Sequence, residues 1–520
     1  MLNRLIGLTL FLFLFIQILS GCLFFRSAFF LLVSYEIIDD DGFPSVRLVF
    51  NVSTPATITI VDPLNKSLLS EVHTPGLQTM IAPLGGYCSD PLSGVYRIIV
   101  LDEETGDVIH RETLSFSGSG ISMGDVDTYW IRDKDAYTLV RINVSVMNNG
   151  DMVTYPCMIK ASISNKTITA RSIPYSVKPG SCIHVNFFVY IDGIKDEEQG
   201  LVLALLDINN VVLSTLSVNV TPVENTHTTT YTWVYKNKDY RIRVLDPDYL
   251  YSYYKSLPRL ETMDYVAYIF DCYDDDYWLH IKEQLYRMLD GLKSDEDKIN
   301  LVASFVQVLQ YVDDKINDTV YEYPKYPVET LFDKKGDCED KAILTATLLD
   351  LIGYQVCLIR LPNHMAVGVR YNDKLKNEFK EGYCFLETTR YNWGVGQVPL
   401  EYTHESNITI YPVTERPILI HRWMNATRYT FQNKNDFVQI KILVENKGSK
   451  EASFQIVGGF HHGTVIYNKK NLVMNQLQPN SKELGVLRIQ VPSGVTTTLK
   501  TYILYDDAIL DEHESTMVFT

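Results

Sequence analysis

KKGDCEDKAILTATLLDLIG, Lys334–Gly353, sets one cysteine between acidic residues at the head of an apolar-patterned run. The pattern predicts an amphipathic helix from about Cys338 to Ile352, capped by Asp337 and closed by Gly353 at the C′ position. Cys338 then lies in the first helical turn, where unpaired backbone N–H groups and the macrodipole favour negative charge. The neighbouring Asp337, Glu339 and Asp340 act the other way, because close carboxylates raise a thiol pKa. From this stretch alone Cys338 is a nucleophile, half of a disulfide or a small buried residue.

Downstream, VCLIRLP (Val356–Pro362), HMAVGVRYN (His364–Asn372) and YCFLETT (Tyr383–Thr389) predict an antiparallel layer packed under that helix. Upstream, WLHIKEQLYRMLDGL (Trp278–Leu292) and the stretch Lys298–Tyr311 carry helical spacing, and Ser294 with Asp297 forms a capping-box pattern. Helices followed by strands define a mixed α+β domain from about Thr226 to Val413. A thiol nucleophile needs a base for its proton and a third group to hold the base in one tautomer. His364 opens one strand and Glu387 ends the next, so the layer can bring both to the edge where the helix begins.

These phrases, GDCED (Gly336–Asp340), HMAVGV (His364–Val369) and FLETT (Phe385–Thr389), stand with FVQ (Phe305–Gln307), YPVETL (Tyr326–Leu331) and WGVGQVP (Trp393–Pro399). Together they resemble the transglutaminase-like superfamily, and within it the archaeal membrane-anchored branch. The resemblance implies a papain-like thiol fold in which Cys338 attacks an amide carbonyl and His364 serves as base and then acid. Glu387 would orient the imidazole, where the wider family carries Asp. The acyl group would pass to water, giving peptide hydrolysis, or to an amine, giving a cross-link. The backbone N–H of Cys338 would meet the oxyanion, with Gln307 as the candidate side-chain donor. Peptide or protein is the implied substrate. The competing reading is a non-catalytic surface scaffold or adhesion protein that keeps the fold and binds peptide.

On both sides the texture is β. VRINVSVMNNG (Val140–Gly150) recurs as VQIKILVENKG (Val438–Gly448), with apolar residues at 140, 142, 144 and 146 matching 438, 440, 442 and 444. Both strands end in Asn-x-Gly, a pattern that favours a turn with positive φ. The two copies resemble immunoglobulin-like surface modules, which supply spacers and contacts to other cell-surface proteins. The expected fold is therefore multidomain, an α+β transglutaminase-like core flanked by all-β immunoglobulin-like sandwiches. Its segments are 1–33 (signal peptide, lipobox or membrane anchor), 34–120 (β-sandwich), 121–225 (immunoglobulin-like sandwich), 226–414 (transglutaminase-like domain) and 415–520 (immunoglobulin-like sandwich).

The first segment has one early charge, Arg4, then an apolar run from Leu5 to Phe25. A run of ~20 residues suffices to cross a bilayer, and LSGC places Cys22 as a lipidation candidate. Tethering by the N-terminus would leave the body outside the cytoplasm, in keeping with sequons at Asn51, Asn65, Asn143, Asn165, Asn219, Asn317, Asn407 and Asn425. Cys157 with Cys182, and Cys357 with Cys384, are candidate disulfides, small buried thiols being the alternative. A formal charge of −16 argues against nucleic acid. No cofactor or metal is expected. The runs at Asp39–Gly42 and Asp274–Asp276 read as solvated turns, with surface calcium the one allowance, since neither has EF-hand spacing. His461-His462 lacks further ligands and reads as surface.

Overall fold

Alternation of apolar and polar residues from Val140 and from Val438 folds as expected into two long strands, Ala136–Asn148 and Phe437–Asn446. Each is the central strand of a three-stranded sheet that faces a four-stranded one, and their inward residues join the sandwich cores. The computed structural model describes residues 28–316, 319–320, 322–371, 378–431 and 434–519. Within each module the first, second and fifth strands form one sheet, and the other runs fourth, third, sixth, seventh. The N-terminal sandwich, Phe30–Phe116, has the same strand order, so the described residues hold three copies of one topology. Its first strand begins at Phe30, inside the segment read as leader or anchor; Cys22 and Asn317 lie outside the described residues. No helix among the described residues is long and apolar enough to cross a membrane.

The repeat extends to side chains. Asn148 donates through Nδ2 to Met152 O (2.7 Å) and Val177 O (2.9 Å), and accepts from the N–H of Gly150 and Gly120. Asn446 donates to Lys450 O (2.7 Å) and Leu477 O (3.0 Å), and accepts from Gly448 and Ile418. Each amide pins the neck of its module by bonding several backbone groups at once, Val177 O being shared with the N–H of Thr154 (3.3 Å). The paired glycines are not at positive φ, contrary to the sequence expectation. Close approach requires them: a Cβ on Gly150 would lie 2.1 Å from Gly118 O, and one on Gly448 2.2 Å from Arg416 O.

Between the second and last modules lies the stretch that carries the helices. A hairpin, Thr228–Tyr235 with Lys238–Leu245, precedes the helices Asp248–Ser256, Asp275–Leu289, Asp295–Gln307, Pro327–Asp333 and Cys338–Leu351. Five antiparallel strands follow in the spatial order Glu378–Lys380, Tyr383–Leu386, His364–Arg370, Gln355–Leu361, Thr409–Pro412. Helix Cys338–Leu351 is not amphipathic in place: every residue from Glu339 to Leu349 is buried, as befits a helix covered on all sides. Lys341 on it donates to Gln307 O (3.3 Å) and Leu309 O (2.9 Å), capping the helix that ends at Gln307. Burial holds its ammonium down at about 8.

Neither candidate cysteine pair forms; all seven described cysteines are free. Cys357 pairs with Gly368 while Cys384 pairs with Val369, which puts the two thiols on opposite faces, one in each apolar cluster. Cys182 is exposed at the start of its strand, whereas Cys157 is buried at a junction between modules. The run Asp274–Asp276 is also not a solvated turn. Asp274 is buried, and this stretch is where the modules meet: Tyr273 bonds Tyr87 (3.0 Å), Arg171 N–H bonds Asp276 Oδ2 (2.9 Å), and Asn480 bonds Phe270 O (3.0 Å). The first and last sandwiches dock through Val72 N–H on Gln439 Oε1 (2.8 Å) and Lys441 Nζ on Ile81 O (2.8 Å).

Replacing Asn148 or Asn446 by Ala removes hydrogen bonds from several backbone groups at the neck of its module. Either substitution is expected to cost about 1–3 kcal/mol, read as a lower denaturant midpoint with an unchanged slope, whereas Asn149→Ala, at an exposed position, should move it little.

Candidate active site

Each residue of GDCED has a structural reason. Gly336 leaves room for Asp340, whose Cβ would lie 2.5 Å from a Cβ at 336. Asp337 caps the helix by accepting from Asp340 N–H (3.4 Å). The fully buried Asp340 accepts from Lys325 Nζ (2.7 Å), Lys325 N–H (2.8 Å) and Asp337 N–H (3.4 Å), so one carboxylate ties the preceding loop to the helix start. Cys338 is thereby placed at the first turn, half-exposed to a cleft of about 640 Å³.

His364 reaches the same cleft from the start of its strand. Its Nε2 lies 3.1 Å from Glu387 Oε2, immediately after strand Tyr383–Leu386, which leaves Nδ1 as the nitrogen for the thiol. Glu387 Oε1 accepts from the N–H (2.8 Å) and hydroxyl (2.6 Å) of Thr389. Burial alone would raise this carboxyl, but His364 and Thr389 together bring it down to about 2. The extra methylene of Glu relative to Asp thus still lets the carboxylate reach the imidazole. Tyr402 stacks on the His364 ring with centroids 5.4 Å apart and planes 4° apart.

Cys338 Sγ donates to Glu339 Oε2 at 3.1 Å. Burial raises the thiol pKa, Glu339 and Asp337 raise it further, and the backbone N–H of Met365 opposes them. Glu339 itself is lifted by burial to about 7. The structure therefore brings Cys338, His364 and Glu387 to one place but leaves the thiol resting on an acid.

Gln307 does not fit the oxyanion role. Its Nε2 donates to Glu387 O (2.8 Å) and Trp393 O (2.8 Å), so both amide hydrogens brace the segment that carries Glu387. The side chain is buried rather than on a solvated face.

The cleft wall adds Asp313, Asp314, Glu322, Asp337 and Glu339, against one cation among the described lining residues, Arg360. Ligand atoms of Asp314, Asp337 and Glu339 lie within 4.8 Å of one another, a set that could hold a divalent cation. These are not the acidic runs singled out in the sequence, whose spacing gives no hint of them. Thr389 was within reach of a reading of ETT; Tyr402 carries no sequence signal. Among the described sequons, Asn65, Asn165, Asn219, Asn407 and Asn425 are exposed, and Asn407 lines the cleft. Asn51 and Asn143 are half-buried in strands, and Asn143 already donates to Asn186 (2.9 Å), which makes these two the poorest acceptors.

A family model described as a transglutaminase-like domain matches residues 280–376, a stretch that includes Cys338 and His364 and ends before Glu387. The chain thus carries a region of the transglutaminase-like type. No curated protein matches the sequence. Among solved structures, red sea bream transglutaminase is similar at 10% identity and TM-score 0.17, covering 72% of this chain and 79% of its own. A tetra-tandem repeat from the extending region of a large adhesion protein gives 9% identity and TM-score 0.18, covering 95% and 99%. A two-domain fibronectin type-III segment of chicken tenascin gives 11% and 0.18, covering 36% and 98%. At such TM-scores these likenesses carry no weight beside the family match and the geometry.

If Glu339 holds the thiol up, Glu339→Gln should raise the rate of Cys338 alkylation by iodoacetamide at pH 8, about tenfold for each unit of thiol pKa removed. The gap should narrow below pH 7, where Glu339 takes up its proton and no longer opposes the thiolate.

Proposed function

We propose that the 226–414 domain is a thiol enzyme acting on amide bonds of peptide or protein at the cell surface, held to the membrane by the N-terminal segment. The observation that carries this reading is Cys338 at a helix start sharing one cleft with a His364 whose far nitrogen is held by Glu387. Cys338 gives its proton to His364 Nδ1 and adds to the amide carbonyl. The backbone N–H of Cys338, an orphan donor of the first turn, faces the resulting oxyanion. His364 then returns the proton to the leaving amine, and the thioester passes to water or to a second amine. Glu387 keeps the imidazole in the tautomer that these transfers need. The acidic cleft favours segments bearing Lys or Arg. The β-modules are spacers and contact surfaces, immunoglobulin-like in kind. The Leu5–Phe25 apolar run and the exposed sequons support export and tethering.

One observation favours the rival reading of a non-catalytic, peptide-binding scaffold: the half-buried Cys338 thiol donates to Glu339 and its pKa is raised. Product analysis separates the two. Parent protein incubated with a lysine-containing peptide and a labelled primary amine should yield cleaved or amine-linked product. Cys338→Ala should abolish it, and His364→Ala should lower kcat/KM about 10²–10⁴-fold. Peptide binding without product from the parent protein would select the scaffold.

A further inference from the structure

The loop Gly85–Asp90, GGYCSD, carries the first sandwich onto the second. Asp90 N–H donates to Asp207 Oδ2 (2.9 Å), and Asp90 Oδ1 accepts from Thr154 Oγ1 (2.8 Å) and Ser119 Oγ (2.5 Å). On the same junction Tyr155 donates to Asp39 Oδ1 (2.5 Å). Among these contacts lies an apolar cluster containing Phe43, Tyr87, Val153 and Tyr155. Cys88 from the first module and Cys157 from the second are buried inside it, 0% and 3% exposed. Cys157 Sγ is 3.9 Å from Cys88 O and in hydrogen-bonding contact with the Cys88 thiol. The interface on either side is already built from directional contacts, so the two sulfurs are held as neighbours by structure that does not depend on them.

We infer that Cys88 and Cys157 are the two halves of a disulfide that staples the first sandwich to the second. A disulfide-class oxidant such as oxidised glutathione completes the chemistry. One cysteine thiolate attacks the oxidant and displaces one glutathione thiolate. The partner thiolate attacks the mixed disulfide and displaces the second, so one S–S bond forms as two protons and two electrons leave the cysteines. The neighbouring Cys88 thiol, and after it burial in the sealed apolar cluster, opposes ionisation of Cys157, so exchange belongs to the stage before the modules close. Once closed, the same burial shields the bond from reductant. A disulfide also suits the cluster chemically, since it has no S–H to satisfy. The bond ties down the chain between the two modules, where constraint of the unfolded state is the expected source of stabilisation.

The test is peptide mapping of the full chain, folded in a glutathione redox buffer and then alkylated with N-ethylmaleimide under denaturing, non-reducing conditions. The expected result is a cross-linked pair of peptides carrying Cys88 and Cys157, two hydrogens lighter than their sum and separated by reductant. Reduction should lower the thermal midpoint of the parent protein and leave that of Cys88→Ser unmoved. Cys272, whose Sγ accepts from Arg171 (3.3 Å), is the nearby competitor. Full alkylation of Cys88 and Cys157 in the oxidised, folded protein overturns the proposal, as does a Cys157 to Cys272 linkage.

Discussion

Asp340 is the constraint on which the site depends. Its carboxylate, buried and shared among Lys325 Nζ and two backbone N–H groups, welds the loop after Lys325 to the first turn of helix Cys338–Leu351. A buried ion pair of this kind gives little net stability, because desolvation offsets most of the attraction. What it does supply is position: with Asp340 held, Gly336 must lack a side chain, Asp337 must cap, and Cys338 must open onto the cleft. The second buried pair, Arg259 with Glu329 (2.8 Å), does the same for the helix Pro327–Asp333 in front of it. Gln307 and Lys341 then fix the far side, one bracing the carbonyl of Glu387 and the other closing the Gln307 helix.

That scaffold sets up a conflict at its centre. Helix position and the Met365 N–H favour a thiolate, while burial and the carboxylates of Glu339 and Asp337 oppose it. Each unit of thiol pKa is worth about 1.4 kcal/mol, and a first-turn dipole contributes about 0.3–1 kcal/mol, so the dipole alone does not win. An imidazolium formed at His364 is the remaining counter-charge, and Glu387 is placed to stabilise it. A positively charged substrate segment lying along Asp314, Glu322 and Glu339 would shift the balance in the same direction by screening the acids.

Cys338, His364 and Glu387 could be picked out because they sit at element ends and follow the order of the family that the motifs resemble. Gln307 was misread because a sequence does not show which face of a helix is covered. Cys357 and Cys384 failed as a pair for a reason of parity: adjacent strands bring them near, but the register puts them on opposite faces. The two Asn-x-Gly modules were visible as a repeat, yet their glycines serve close approach rather than turn geometry. The third copy was not visible as a copy, since its second strand ends in Val52-Ser53-Thr54-Pro55 instead. The Asp274–Asp276 run looked solvated because only the folded chain brings three modules around it.

The most direct test of the central claim is intact-mass analysis of the protein after acid quench of a reaction with a lysine-containing peptide amide. A thiol enzyme predicts an acyl adduct on Cys338, labile to hydroxylamine and absent in Cys338→Ala. A folded protein that binds the peptide but never carries the adduct would contradict it.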